Sequence, residues 1–326
     1  MTVKVGIPRA LFYYYYFPLW KSFFDALGAE VITSPPTNKG IVDGGVRRAV
    51  DEACLPVKIF YGHVAELAGR VDYLFVPRLA AVENKAFICP KLMGLPDMLR
   101  AGIPDLPPMI DVTVDLSRQR ERLQQSVDEV GRYLTIDRRE IHRAWELALV
   151  QYRQFRETVK QGVLPSEAVE GINQAAITAG MEEGASSPRI AVLGHGYNLY
   201  DRHTSLDLIQ KLRRLGAQVV TSDMLPREMV EKEASRLPKR MFWTLGKGIV
   251  GGAYHFLQRP GIRGIIHLAS FGCGPDSLVG DLVERIIRRD GRVPFMLLTV
   301  DEHTGEAGVN TRLEAFMDMI AWRGAL

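Results

Sequence analysis

Cysteine is scarce in this chain: there are three in 326 residues, an odd number set far apart, with neither a CxxC pair nor a disulfide framework. Reduced thiols in a reducing compartment follow. No stretch reaches the about 18 consecutive apolar residues of a bilayer helix, so no membrane span is expected. The aromatic run from Ala10 to Trp20 lacks a basic leader and a small-residue cleavage site and contains Pro18, so it is not read as a secretory signal. A cytoplasmic chain is the expectation. A dominant charge is also lacking, since 41 Lys plus Arg against 38 Asp plus Glu leave a formal net charge of +3, too dispersed for a nucleic-acid face. Nucleotide motifs are missing as well. No GxxxxGKS or GxxxxGKT loop occurs, Gly194-His195-Gly196 lacks the third glycine of a dinucleotide fingerprint, and Gly246-Lys247-Gly248 falls inside a helical pattern. ATP or NAD(P)H would therefore act through another protein.

What the chain does have is globular material: 47% hydrophobic and 24% charged residues exclude disorder and fibrous classes. At about 150 residues per domain, its length suggests two domains with cores of their own. Short apolar runs (Val3 to Ile7, Glu30 to Thr33, Tyr73 to Val76) alternate with helical patterns ending near Leu27 and surrounding Cys54. A second series runs Arg189 to Leu193, a helix from Thr204 to Leu215, Gln218 to Thr221, a helix through Phe256, Gly264 to Leu268, a helix from Asp276, and Phe295 to Thr299. Such alternation is the mark of βαβ units and parallel sheets.

The segment from Leu27 to Ser34, Leu-Gly-Ala-Glu-Val-Ile-Thr-Ser, matches Leu215 to Ser222, Leu-Gly-Ala-Gln-Val-Val-Thr-Ser. The match reads as an internal duplication, although a helix closed by glycine before a strand is also common α/β grammar. Between the two series, Ser117 to Glu183 carries helical patterns, with Ile141, Trp145, Ala148, Leu149 and Tyr152 on one face. The expected organisation is a first α/β domain over 1–116, a helical connector over 117–187 with its joint at Gly184 to Pro188, and a second α/β domain over 188–326.

Each cysteine lies beside proline, in Cys54-Leu55-Pro56, Cys89-Pro90 and Cys273-Gly274-Pro275. Proline in a first helical turn gives up an N–H that would lack a partner, and a thiolate there gains from the free amides and the helix dipole. Cys89 and Cys273 each come after the third strand of their series, at the carboxyl edge where open parallel sheets bind ligands. Three thiolates are one short of the four that usually hold an iron-sulfur cube, so a [4Fe-4S] cluster on Cys54, Cys89 and Cys273 would leave one iron open. Two other readings stay open: three buried hydrophobic thiols, or a structural Cys3His zinc site with His303 or His63 as fourth ligand.

Several ordered motifs resemble one family. They are Gly6-Ile7-Pro8-Arg9-Ala10-Leu11, Tyr16-Phe17-Pro18-Leu19-Trp20, Thr37-Asn38-Lys39, Cys54-Leu55-Pro56-Val57-Lys58, Gly62-His63-Val64, Cys89-Pro90-Lys91-Leu92-Met93-Gly94-Leu95-Pro96-Asp97, His303-Thr304-Gly305-Glu306 and Thr311-Arg312-Leu313-Glu314-Ala315-Phe316. Together they resemble the acyl-CoA dehydratase activase-related proteins, within the superfamily of 2-hydroxyacyl-CoA dehydratase catalytic subunits and double-cubane cluster proteins. The resemblance is weakest through the helical middle.

It implies two flavodoxin-like (Rossmann-type) domains clasping a [4Fe-4S] cluster in an interdomain cleft, with a separate ATP-hydrolysing iron-sulfur activator supplying a low-potential electron. In the dehydratases, a 2-hydroxyacyl-CoA thioester is reduced to a ketyl radical and loses water, so a radical dehydratase-like lyase or a low-potential reductase is the implied activity. Two departures count against a full carry-over. The dehydratases are heterodimers, whereas one chain here leaves room for a homodimer, and the double-cubane proteins need more cysteines than this chain has. An electron-relay or regulatory subunit, with its fourth iron site closed by His303, is the alternative.

Other polar residues have paired readings. His303, flanked by Glu302 and Glu306 after the last strand, could shuttle protons, or the segment could simply start a helix. Arg9 and His195 leave the first strand of each series and could meet a small substrate, though each has a plain surface reading. Lys58 could offset cluster charge or lie on a solvated face. The aromatic run from Tyr13 to Phe17 is read as helix core, not as a cofactor box.

Overall fold

In the computed structural model, residues 2–117, 122–171 and 187–324 are described, and they form an α/β protein built on parallel sheets. The chain divides into two compact units, Met1–Glu157 with Phe242–Thr244, and Thr158–Met241 with Leu245–Leu326.

In the first unit, β1 (Lys4–Ile7), β2 (Glu30–Thr33), β3 (Tyr73–Phe75) and β5 (Met109–Ile110) make one parallel sheet in the order β2-β1-β3-β5. A second, two-stranded parallel sheet pairs β4 (Arg78–Ala81) with β6 (Thr113–Asp115). The helix Tyr13–Ala26 runs between β1 and β2 and places Phe23 and Phe24 fully in the core. Trp145, on the Arg138–Lys160 helix, meets Phe23 edge-on with centroids 5.9 Å apart. Aromatic pairs of this kind add about 0.5–1.5 kcal/mol to the area they bury.

In the second unit, β7 (Arg189–Gly194), β8 (Gln218–Thr221), β9 (Ile262–Ser270) and β10 (Phe295–Val300) form a parallel sheet in the order β10-β9-β7-β8. Leu193, Val250, Phe256, Ile265 and Val283 centre its core. Numbered by chain order within its own sheet, each four-stranded sheet reads 2-1-3-4. The repeated Leu-Gly-Ala segments also adopt one backbone form. Gly28 and Gly216 take φ of +79° and +83°, and Ala29 and Ala217 donate to the carbonyls of Phe24 and Leu212 at 3.0 Å in both cases. A side chain at either glycine would strain this helix stop.

The expected strands are found with small changes at their ends, while β4, β5 and β6 have no clear sequence signal, since β4 and β6 each include a charged residue and β5 is only two residues long. The helix expected from Thr204 to Leu215 is confined to Leu208–Arg214, since Leu206 and Asp207 adopt positive φ and break the turn before it. The expected connector contains the helices Arg122–Gly131, Arg138–Lys160 and Pro165–Val169. Residues 184–186 of its expected joint lie outside the described residues. No described helix is long and apolar enough to cross a membrane.

Candidate functional site

All three cysteines occupy the same local position: each is the residue before a helix and has proline in that helix's first turn. Cys54 precedes Leu55–Leu67, Cys89 precedes Pro90–Met93 and Cys273 precedes Gly274–Asp290. None of the three forms a disulfide; Cys54 and Cys273 are buried and Cys89 is half-buried. In the first unit, Cys54 and Cys89 are near enough to act on each other electrostatically. Burial pushes the Cys54 thiol up and the Cys89 charge adds to this, while the Val57 amide and the Lys91 ammonium work the other way. Lys91 is held there by donating to the Glu52 carbonyl at 2.7 Å. Lys58 is buried near the start of the Cys54 helix, so the solvated-face reading of this residue does not hold.

His63, on the same helix, is not available as a metal ligand. Its Nδ1 pairs with Ser34 Oγ at 2.8 Å and its Nε2 with Thr37 Oγ1 at 2.9 Å. Burial, helped by the Arg9 charge, lowers its pKa to about 3. The Arg9 backbone amide donates to Ser34 Oγ at 2.9 Å, and the Arg9 guanidinium lies 5.6 Å from the Tyr13 ring centroid. Tyr13, Tyr16, Phe17 and Trp20 line a recess of about 50 Å³ beside Ile7 and Phe75. That is well short of the roughly 150 Å³ that holds a benzene ring, which agrees with reading the run as packing.

In the second unit, Cys273 has close polar company. His195 follows β7 and Cys273 follows β9, and these strands are sheet neighbours in register at Gly194 and Leu268. Ligand atoms of His195, Cys273 and Asp276 all lie within 4.8 Å of one another, and all three residues are buried. Of the two readings of His195, the plain surface one does not hold: the residue is only 3% exposed and packs against Tyr197 with centroids 5.0 Å apart. Asp276 Oδ1 pairs with His267 Nε2 at 3.0 Å and stands 4.0 Å from His195 Nε2, while its Oδ2 accepts the Ser270 amide at 3.3 Å. Burial works against the Asp276 anion, yet His195, His267 and the Ser270 amide together hold its carboxyl below the ordinary value. Burial likewise lowers His195 and favours its neutral form.

Around this group, His195 Nδ1, both amide atoms of Asn198, His267 Nδ1 and Ser270 Oγ are buried without a hydrogen-bond partner. Buried polar groups are normally paired, with protein, ordered water or a bound ion, so these atoms mark a polar pocket in the core. Asp276, His267, Asn198 and Ser270 carry no motif that a single sequence reveals. The usable signal was topological: His195 and Cys273 end adjacent strands.

The His303 segment is a helix start. His303 is exposed, and its amide donates to Asp301 Oδ1 at 2.9 Å, while Thr304 donates to the same carboxylate oxygen at 2.7 Å. Glu306 begins the Glu306–Gly324 helix and pairs with Lys211 at 2.8 Å, and Glu302 is half-buried. The structure therefore groups Cys54 with Cys89, and Cys273 with His195. It gives His303 and Glu306 local structural partners.

The family described as CoA enzyme activase uncharacterised domain matches residues 4–225 of this chain. A search of curated proteins finds no match.

Proposed function

The chain belongs to the CoA enzyme activase uncharacterised-domain family, and from that premise we propose that it is an iron-sulfur component serving a CoA-processing enzyme, with one [4Fe-4S] cluster held by Cys54, Cys89 and Cys273. The observation that carries this reading is the recurrence of one local device at all three cysteines. Each thiol sits at a helix start beside a proline, and the dipoles of the long helices after Cys54 and Cys273 work toward the thiolate, against the burial that pushes the Cys54 thiol up. The donor set fits the group, since soft thiolates select iron-sulfur clusters and zinc, and unpartnered polar atoms surround Cys273.

When bound, such a cluster supplies one-electron chemistry at low potential, with one iron free of cysteine and open to an oxygen of a small substrate, an acyl-CoA thioester in class. The chain's own residues hold and shield it. Lys91 offsets thiolate charge beside Cys54, and Asp276 with His195 sets the polarity beside Cys273. Lacking a nucleotide motif, the protein takes its electron from a separate ATP-hydrolysing iron-sulfur activator and works in a reducing cytoplasm. The common 2-1-3-4 sheet order and the paired helix stops support two flavodoxin-like domains descended from one duplication.

Anaerobically purified full chain is expected to hold about four iron and four acid-labile sulfide. Serine at any one of the three cysteines should lower both together. Stoichiometric zinc without iron or sulfide, or an iron content that ignores all three substitutions, would refute the proposal.

A further inference from the structure

The second unit contains the parts of a metal site that needs neither of the other two cysteines. We propose that Cys273, His195 and Asp276 bind one divalent transition-metal ion, zinc or iron(II) in class, through the Cys273 sulfur, a His195 ring nitrogen and an Asp276 carboxylate oxygen. Four observations carry the assignment. The donor atoms already lie within 4.8 Å of one another, so small rotations bring them onto one ion. Sulfur, nitrogen and oxygen donors together suit a borderline-soft ion, and three protein ligands leave a fourth position for water.

Asp276 is held from behind by His267 Nε2 at 3.0 Å and by the Ser270 amide at 3.3 Å, the outer-shell support that fixes a ligand's orientation. His195 Nδ1 and both Asn198 amide atoms are buried with no hydrogen-bond partner. Ligation through Nδ1 would give the first of these a partner. Phe271 is 69% exposed and the adjoining Gly272 is exposed too, so the chain lies at the surface just before Cys273. The inference goes beyond the cluster reading and concerns the chain before a cluster is assembled: both groups need the Cys273 sulfur, so the single ion occupies the site only while the cluster is absent.

The test uses the full-length C54S/C89S chain, stripped of metal and titrated with Co²⁺. One equivalent should bind, with a thiolate-to-cobalt charge-transfer band and the visible bands of a four-coordinate ion, and Zn²⁺ should displace it. In that background H195Q, D276N and C273S should each weaken binding by at least about 10-fold, and C273S should also erase the charge-transfer band. H267Q, which leaves all three ligands in place, should weaken binding about 10-fold while keeping the band. Far-UV circular dichroism identifies any variant that fails to fold.

A folded C54S/C89S chain that binds no Co²⁺, or a charge-transfer band that survives C273S, overturns the inference. The cluster reading fails by a different measurement, absent sulfide in the native chain, so the two outcomes are separable.

Discussion

His63 shows how a buried side chain can appear functional in sequence and be structural in the fold. Flanked by Gly62 and Val64 and nine residues beyond a cysteine, it was a candidate fourth ligand. Both ring nitrogens are instead taken by the Ser34 and Thr37 hydroxyls, and burial lowers the pKa to about 3. An unfolded histidine titrates near about 6.5, so between these values the unfolded chain binds a proton that the folded chain refuses. The stability His63 contributes is thus complete above about pH 6.5 and is lost as pH falls, at up to about 1.4 kcal/mol per unit. Urea unfolding between pH 7 and 4.5 should show this slope, and H63N should reduce it by one proton. An equal slope in both proteins would contradict a neutral buried imidazole.

The cysteine positions were legible at this same scale, because proline marks a helix start locally. The grouping of His195 with Asp276 was not, since it depends on which strands become neighbours.

At the scale of elements, the helices Lys39–Val46 and Leu55–Leu67 approach so closely that only glycine fits at two points. A Cβ at Gly45 would fall 1.8 Å from the Lys58 carbonyl oxygen, and one at Gly62 would fall 2.0 Å from that of Ile41. Backbone stands on both sides of the contact, so neither clash can be relieved by turning a side chain. G45A and G62A should each cost about 3 kcal/mol, the upper end of ordinary overpacking, measured by thermal unfolding. A loss below about 0.5 kcal/mol would mean the helices separate freely. The contact also bears on the site, because the second helix begins directly after Cys54. Both substitutions should reduce metal retention as well as stability. This pairing is not legible in sequence: Gly40, Gly44 and Gly45 are only weak helix formers until the facing backbone is known. The long α/β alternation was legible because its strands lie in apolar or β-branched runs, whereas Arg78 and Asp115 interrupt β4 and β6 and β5 has only two residues.

At the scale of the whole molecule, the question is whether metal holds the protein together or is held by it. Each unit has a core of its own, around Phe23, Phe24, Leu67 and Ile110 in the first and around Phe256, Ile265 and Val283 in the second. Apolar burial on this scale does not depend on a metal, unlike that of a small zinc-stapled domain. The ligand-bearing loops sit at helix starts anchored by their own hydrogen bonds, such as Ser277 to the Cys273 carbonyl at 2.8 Å. Metal binding should therefore stabilise by mass action alone, about 2.7 kcal/mol when free metal stands at 100 times its dissociation constant. For units of this size that amounts to about 5–10 °C in Tm. The triple variant C54S/C89S/C273S should keep its far-UV circular dichroism and a cooperative melt near that of the metal-free native chain, and should show no shift on adding metal. If stripping the native chain of metal instead collapsed its secondary structure, the thiols would be structural staples, and the catalytic and electron-transfer readings would lose their footing.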